Sequence, residues 1–154
     1  MIQRIQTVFL FLAAVASGLI FFFPLAWFND FTVQFFVTHV QDFVPGSELI
    51  FSEFSLLPLA ILSAIVTVLP LLIIFMYKNL NGQLRLIRLS ILFNLTLIGL
   101  VFFYYVEQIK LVTGSEPAYD FGIFLPLIAL VFLFLALRGV RKDFKLIRSA
   151  DRLR

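Results

Sequence analysis

The sequence predicts an all-α membrane protein with four transmembrane helices and a short outer loop between the first two that leans toward a β-hairpin. Three observations carry this. Of 154 residues, 62% are hydrophobic and 14% charged, with a mean hydropathy of +1.06, against roughly 45–50% apolar and about 25% charged in soluble domains. A chain this short cannot hide so much apolar surface from water. Four long runs carry no charge at all, and the charges between them alternate in sign from one side to the other. Soluble enzymes, nucleic-acid modules and disordered tails are disfavoured at once, and without cysteine there is no disulfide scaffold. Residues 1–154 read as a single integral membrane domain.

The first neutral run lies between Arg4 and Asp30 and has 25 residues, inside the roughly 17–25 that a membrane helix uses. Lipid offers no partner to bare peptide groups, so each span must be helical, and the first is expected over about 6–28. A basic start at Arg4 and the apolar stretch Val8–Phe23 resemble a signal peptide, but Pro24-Leu25-Ala26 is a poor small-residue cleavage site. The segment is therefore expected to remain as a membrane helix. Ala13 and Ser17, and Ala14 and Gly18, recur four apart on it, a spacing that lets backbones approach closely. Trp27 and Phe28 would end it at the outer interface, where amphipathic rings prefer to lie.

The loop over residues 29–54 carries both an alternating pattern (Phe31, Val33, Phe35, Val37) and a helical stripe (Val33, Phe36, Val37, Val40, Phe43, Val44). Periodicity alone does not separate the two in so short a segment. Its aromatic and β-branched residues favour a strand, returning through Leu49–Ser52.

The second run, between Glu53 and Lys78, has 24 residues and predicts a helix over about 55–77. Ala60 and Ala64 repeat the small-residue spacing and predict contact with the first helix. Pro58 falls near the outer end, whereas Pro70 lies deeper and should kink the helix. The third run, Arg88 to Glu107, has 18 residues and the fourth, Asp120 to Arg138, has 17. Both are marginal, but Arg88 and Arg138 can snorkel, giving helices near 86–106 and 120–139. Asn94 is the most polar residue in the third and reads first as an interhelical hydrogen bond. Tyr104, Tyr105, Tyr119 and Phe121 fall at the outer interface and Tyr77 at the inner one. Pro126 is expected to kink the fourth helix.

Orientation follows from charge. Eleven of the 12 Lys and Arg precede the first helix, join the second to the third, or follow the fourth. Seven of the 9 acids lie in the two opposite loops, with Lys110 the one basic residue there. Basic loops stay cytoplasmic on insertion, so both termini are expected to face the cytoplasm. The tail, 140–154, joins Arg138 in a cationic run: Arg138, Arg141, Lys142, Lys145, Arg148, Arg152 and Arg154 against Asp143 and Asp151, a net +5. Val140, Phe144, Ile147 and Ala150 form an apolar stripe along it. Such a helix usually lies on the membrane surface against anionic headgroups, and the same charges would also suit an acidic membrane-protein partner.

Chemistry is thin. The central portions of the spans hold no ionisable residue, the usual mark of catalysis or transport in a membrane. His39 is the sole histidine, and one His without Cys does not make a metal site. No Ser–His–Asp set, glycine-rich phosphate loop or HExxH motif is present. The expectation is a non-enzyme with no cofactor, no metal and no nucleic-acid partner.

Three stretches carry a resemblance. They are Met1-Ile2-Gln3-Arg4-Ile5-Gln6-Thr7 at the start, the basic turn Tyr77-Lys78-Asn79 with Gln83-Leu84-Arg85-Leu86, and the ending Arg141-Lys142-Asp143 through Leu146-Ile147-Arg148-Ser149-Ala150-Asp151-Arg152-Leu153-Arg154. Together they resemble a family of small four-helix membrane proteins of Gram-negative bacteria, classed as a domain of unknown function. Phe144 stands where that family would have an acidic residue. The resemblance implies four membrane helices and a home in the bacterial inner membrane, and it implies no activity.

Two functions compete. The favoured one is a structural or accessory subunit of a larger membrane assembly, because the polar features sit in loops and tail. The alternative is a small transporter or channel, as a homo-oligomer, motivated by Pro70, Pro126 and Asn94. A water-filled cavity reaching Asn94 would favour transport, and a filled core would oppose it.

Overall fold

The computed structural model describes residues 5–28, 32–43, 53–76 and 79–151, with backbone alone for 53–55 and 147–151. The chain is mostly helical with one small sheet. The elements, in order, are α1 (Ile5–Leu19), β1 (Ala26–Phe28), β2 (Val33–Phe35), β3 (Val40–Asp42), α2 (Glu53–Phe75), α3 (Leu80–Leu100), a π-turn (Val101–Tyr105), α4 (Val106–Thr113), β4 (Ala118–Tyr119), a 3-10 turn (Phe121–Phe124) and α5 (Leu125–Asp151). Three helical runs are long and apolar enough to cross a membrane: Leu56–Phe75, Leu80–Thr113 and Phe121–Leu146. α1 is apolar but shorter, about 22 Å at 1.5 Å per residue.

α1 packs on α2 and α5, and α3 packs on the same two, closing a ring of four helices. The buried face of α2 follows the helical repeat through Leu56, Leu59, Ser63, Val66, Pro70 and Ile73. That of α3 runs through Gln83, Ile87, Ser90, Asn94 and Leu97. The opposite faces are exposed and apolar, as on α2 at Leu57, Ile61, Ile65, Val68, Leu72 and Phe75, which is the surface a hydrocarbon solvent requires.

The first helix ends sooner than expected. Pro24 restricts the residue before it to extended backbone, and the last turn tightens through Phe21 N–H to Gly18 O and Phe22 N–H to Leu19 O. Trp27 and Phe28 therefore lie on β1 and not on a helix. The sheet is antiparallel in the order β3-β2-β1-β4. Ala26 pairs with Phe35 and with Tyr119, and Val33 with Asp42. The hairpin expected in this loop is present, formed by β2 and β3 with Val40–Asp42 as the returning strand; the expected return at 49–52 falls outside the described residues. Ala26, Phe28, Val33 and Phe35 all point to one side and are buried. There they form a core with Leu56, Leu59, Leu97, Val101, Tyr105 and Ile123. The sheet is a lid on one end of the helix ring.

The third and fourth helices are longer than their neutral runs. Asn79 caps α3 by accepting from Gly82 N–H at 3.0 Å. Arg85 and Arg88 lie on exposed positions within the helix, so they bound the apolar run without stopping the coil. The helix continues through the π-turn to Gly114, whose φ of 66° supplies the left-handed residue that ends it. α5 starts at Leu125, so Pro126 occupies its first turn, where the missing N–H breaks no bond; the expected mid-span kink is absent. α5 then runs unbroken past Gly139 to Asp151.

Candidate functional site

Two ends of the helix ring bring polar groups together, and they do so differently. At the sheet end, Asp120 is the centre. Its Oδ2 accepts from Trp27 Nε1 at 2.8 Å, its Oδ1 accepts from Phe121 N–H at 2.6 Å, and its own N–H donates to Leu25 O at 3.1 Å. Trp27 also stacks on Phe43, with ring centroids 6.4 Å apart. One residue pair further, Gly122 N–H donates to Pro24 O at 3.1 Å. A Cβ on Gly122 would fall onto that same carbonyl oxygen, so only glycine allows the approach. Nearby, Lys110 Nζ meets Glu116 Oε1 at 2.7 Å on the surface. Among the described residues no three His, Cys, Asp or Glu side chains gather.

At the other end, where α2 turns into α3, polar side chains are buried in the ring itself. Gln83 Nε2 donates to Ile73 O at 3.3 Å, a second donor on a carbonyl at the end of α2 that already accepts from Met76 N–H at 3.1 Å. Gln6 lies against α5, where a Cβ on Gly139 would sit 3.2 Å from Gln6 Cβ. Further into the ring come Ser90 and Asn94, both 0% exposed, then Ser63 and Ser17. Ser17 Oγ donates to Ala13 O at 2.8 Å, and Thr67 Oγ1 to Ser63 O at 2.9 Å. Both side-chain atoms of Gln6 and of Asn94, with Gln83 Oε1, Ser63 Oγ and Ser90 Oγ, have no protein partner. An unpartnered buried polar group costs about 1–3 kcal/mol, so this seam is a standing demand for hydrogen bonds. The interhelical bond expected of Asn94 is not made.

The sequence-predicted packing residues divide. Ala14 is buried and Gly18 meets Thr67 Cγ2 at an added-Cβ distance of 3.5 Å, so helix 1 does approach helix 2 through its small residues. Ala60 is half-buried, but Ala64 is exposed on the outer face of α2 and takes no part in that approach. The helical repeat places Ser63 and Val66 inward and leaves Ala64 between them facing out.

In the cationic run, Arg138, Arg141, Lys142 and Lys145 are all exposed. Arg148 has only its backbone described, and Arg152 and Arg154 lie outside the described residues. Two members of the apolar stripe pack inward: Val140 is 0% exposed and Phe144 packs against the ring's inner core, while only the backbone of Ile147 and Ala150 is described. α5 therefore carries its positive face on a helix docked to the other helices. Gln83 and Asn79 are not evident from sequence as structural polar groups, because their partners, Ile73 O and Gly82 N–H, are set only once the helix ends are placed.

Around Ser63 the ring leaves an enclosed cavity of about 10 Å3, lined by Ser17, Ile20, Ser63, Val66, Leu97 and Pro126. Asn94, one turn along α3 from Leu97, is not part of its wall. No curated protein and no solved structure matches the chain. Residues 2–153 match a domain of unknown function, DUF4293, and the chain belongs to that family.

Proposed function

We propose that the protein is a multi-pass inner-membrane protein of a Gram-negative bacterium that serves as an accessory subunit of a larger membrane assembly. In this reading all four helices cross the bilayer, both termini face the cytoplasm, and no catalysis takes place. The observation that carries it is the small size of the cavity that the described residues leave within the ring. The cavity at the centre of the ring is the size of one water site, too small for any solute, and it does not reach Asn94. Among the described residues, the surfaces available for work are the apolar outer faces and the cationic face of α5. The latter would suit anionic headgroups, since its exposed Arg138, Arg141, Lys142 and Lys145 would each be attracted to an anionic leaflet.

Gentle extraction of the tagged protein from its native membrane tests the subunit reading. A stoichiometric companion is expected, and recovery of this chain alone would sink it. The topology is tested in the cysteine-free chain by single cysteines at Ser47 and Asn81, which should label from opposite sides of intact membranes. The transporter reading has one observation in its favour, the unpartnered Ser90 and Asn94. Solute flux in proteoliposomes that Asn94→Leu abolishes would replace the accessory role with transport.

A further inference from the structure

We infer that the outer face of α5, where it passes from apolar to cationic, binds one acidic phospholipid with two phosphates, of the diphosphatidylglycerol type. This assignment rests on the proposal that the face meets anionic headgroups, and it names which one. α5 is a single helix from Leu125 to Asp151. Its exposed side runs through Leu127, Ile128, Val131 and Phe134. It continues without a turn of bearing through Arg138, Arg141, Lys142 and Lys145, since steps of three and four residues stay on one face. The opposite side, at Leu133, Ala136, Leu137 and Val140, is buried. At Gly139 the helix is still packed on α1, where an added Cβ would sit 3.2 Å from Gln6 Cβ. The cations therefore face away from the ring, in line with the lipid-facing residues before them.

Their level and spacing select the ligand. The 17 neutral residues from Phe121 to Leu137 rise about 25 Å, so Arg138 closes the apolar part, and Arg141 and Lys142 follow about 5–6 Å beyond it. The headgroup layer of one leaflet is roughly 5–7 Å deep, which puts this pair at the depth of lipid phosphates. Arg141 and Lys142 are neighbours in the chain and about 100° apart round the helix axis, so they stand side by side in the plane of the leaflet. Arg138 and Lys145 lie between them in bearing, one turn below and one turn above. Two phosphates joined by one glycerol lie side by side in that same plane and match the pair two for two. Among the described residues none of the four cations is in an ion pair, and the half-buried Asp143 lies off their face. The acyl chains have a surface of their own on Val131 and Phe134, which a soluble anion would leave uncovered.

Native mass spectrometry of the full chain, released from phosphatidylcholine nanodiscs, tests the assignment. Tetraoleoyl diphosphatidylglycerol or dioleoyl phosphatidylglycerol is added at equal phosphate. One diphosphatidylglycerol per chain is expected to stay bound. Arg141→Gln combined with Lys142→Gln should weaken its retention about 25-fold, taking about fivefold for each charge at the membrane surface. Arg85→Gln combined with Arg88→Gln removes as much charge from exposed positions on α3 and should leave retention unchanged. Equal retention of the two lipids overturns the two-phosphate assignment while the headgroup proposal stands. Retention of neither above phosphatidylcholine overturns both. An equal loss in the α3 variant would mean general charge attraction and remove the site from α5. If the Arg141 and Lys142 variant keeps its lipid but sheds a protein companion in native membranes, the face docks protein and the lipid assignment falls.

Discussion

The sheet end and the turn end of the helix ring solve opposite problems. At the sheet end the main chain itself is locked, with four short strands, Asp120 bound three ways, and Gly122 against Pro24. Polar groups there have partners and the enclosed core is apolar apart from Tyr105. At the turn end the helices are regular and the sheet is absent, yet Gln6, Gln83, Ser90 and Asn94 carry polar atoms that no protein group meets. The difference teaches that regular helices, which satisfy their own backbone, leave side chains free to be unsatisfied. A lid of irregular backbone has to spend its side chains on itself.

Gly122→Ala should break the comparison hardest. The new methyl group lands on the Pro24 carbonyl, and overpacking of this kind costs about 3 kcal/mol or more. We expect loss of most folded protein by size-exclusion and thermal melting, whereas Gly99→Ala, with open space at its Cβ, serves as the tolerated control. Asp120→Ala comes next. It removes the 3-10 cap and the Trp27 acceptor together, a loss of about 2 kcal/mol. Because Trp27 is the only tryptophan, its fluorescence should shift in this variant and much less in Asp120→Asn, which keeps an oxygen acceptor.

The turn end should respond with the other sign. Asn94→Leu replaces two unpartnered buried atoms by carbon of similar volume and should stabilise the protein by about 1 kcal/mol. A lower melting temperature would mean that Asn94 has a partner after all. Gln83→Ala removes the second donor on the Ile73 carbonyl, which keeps Met76 N–H, and a loss of about 0.5 kcal/mol is expected. Smallest is Glu116→Ala, which opens the exposed pair with Lys110. Melting should be unchanged within error at physiological salt, since exposed ion pairs contribute little.

The sequence makes the turn end more legible than the sheet end. Charge placement marks where helices leave the apolar phase, and the bounds of α2 come out within a few residues because Glu53 and Lys78 bracket it closely. Across Phe21–Phe28 the same apolar run reads equally as helix or strand, and only Pro24 hints at the change. β4 is two residues long and owes its existence to pairing with Ala26 and Trp27, some 90 positions away, which no local pattern encodes. The charges at Arg88 and Glu107 bound the third neutral run but not its helix, whose ends are set by Asn79 and Gly114. The candidate site was half legible. Asn94 stands out as the lone amide in mid-span, while the burial of Ser63 and Ser90 follows only from how the helices pack.

The π-turn at Val101–Tyr105 has a consequence for the length of the chain. A π-turn holds one residue more than an α-turn needs. Within it Phe103 is 86% exposed, while Val101 and Tyr105 are buried. A chain shortened by deleting Phe103 would wind as continuous α-helix, with the inward residues before and after the deletion still on one line, at positions matching Leu97, Val101, Tyr105 and Ile109. Single-residue deletions inside membrane helices normally rotate everything downstream by 100°; here the rotation is already stored. The helix should accept that deletion, and homologues one residue shorter should have lost it at this turn.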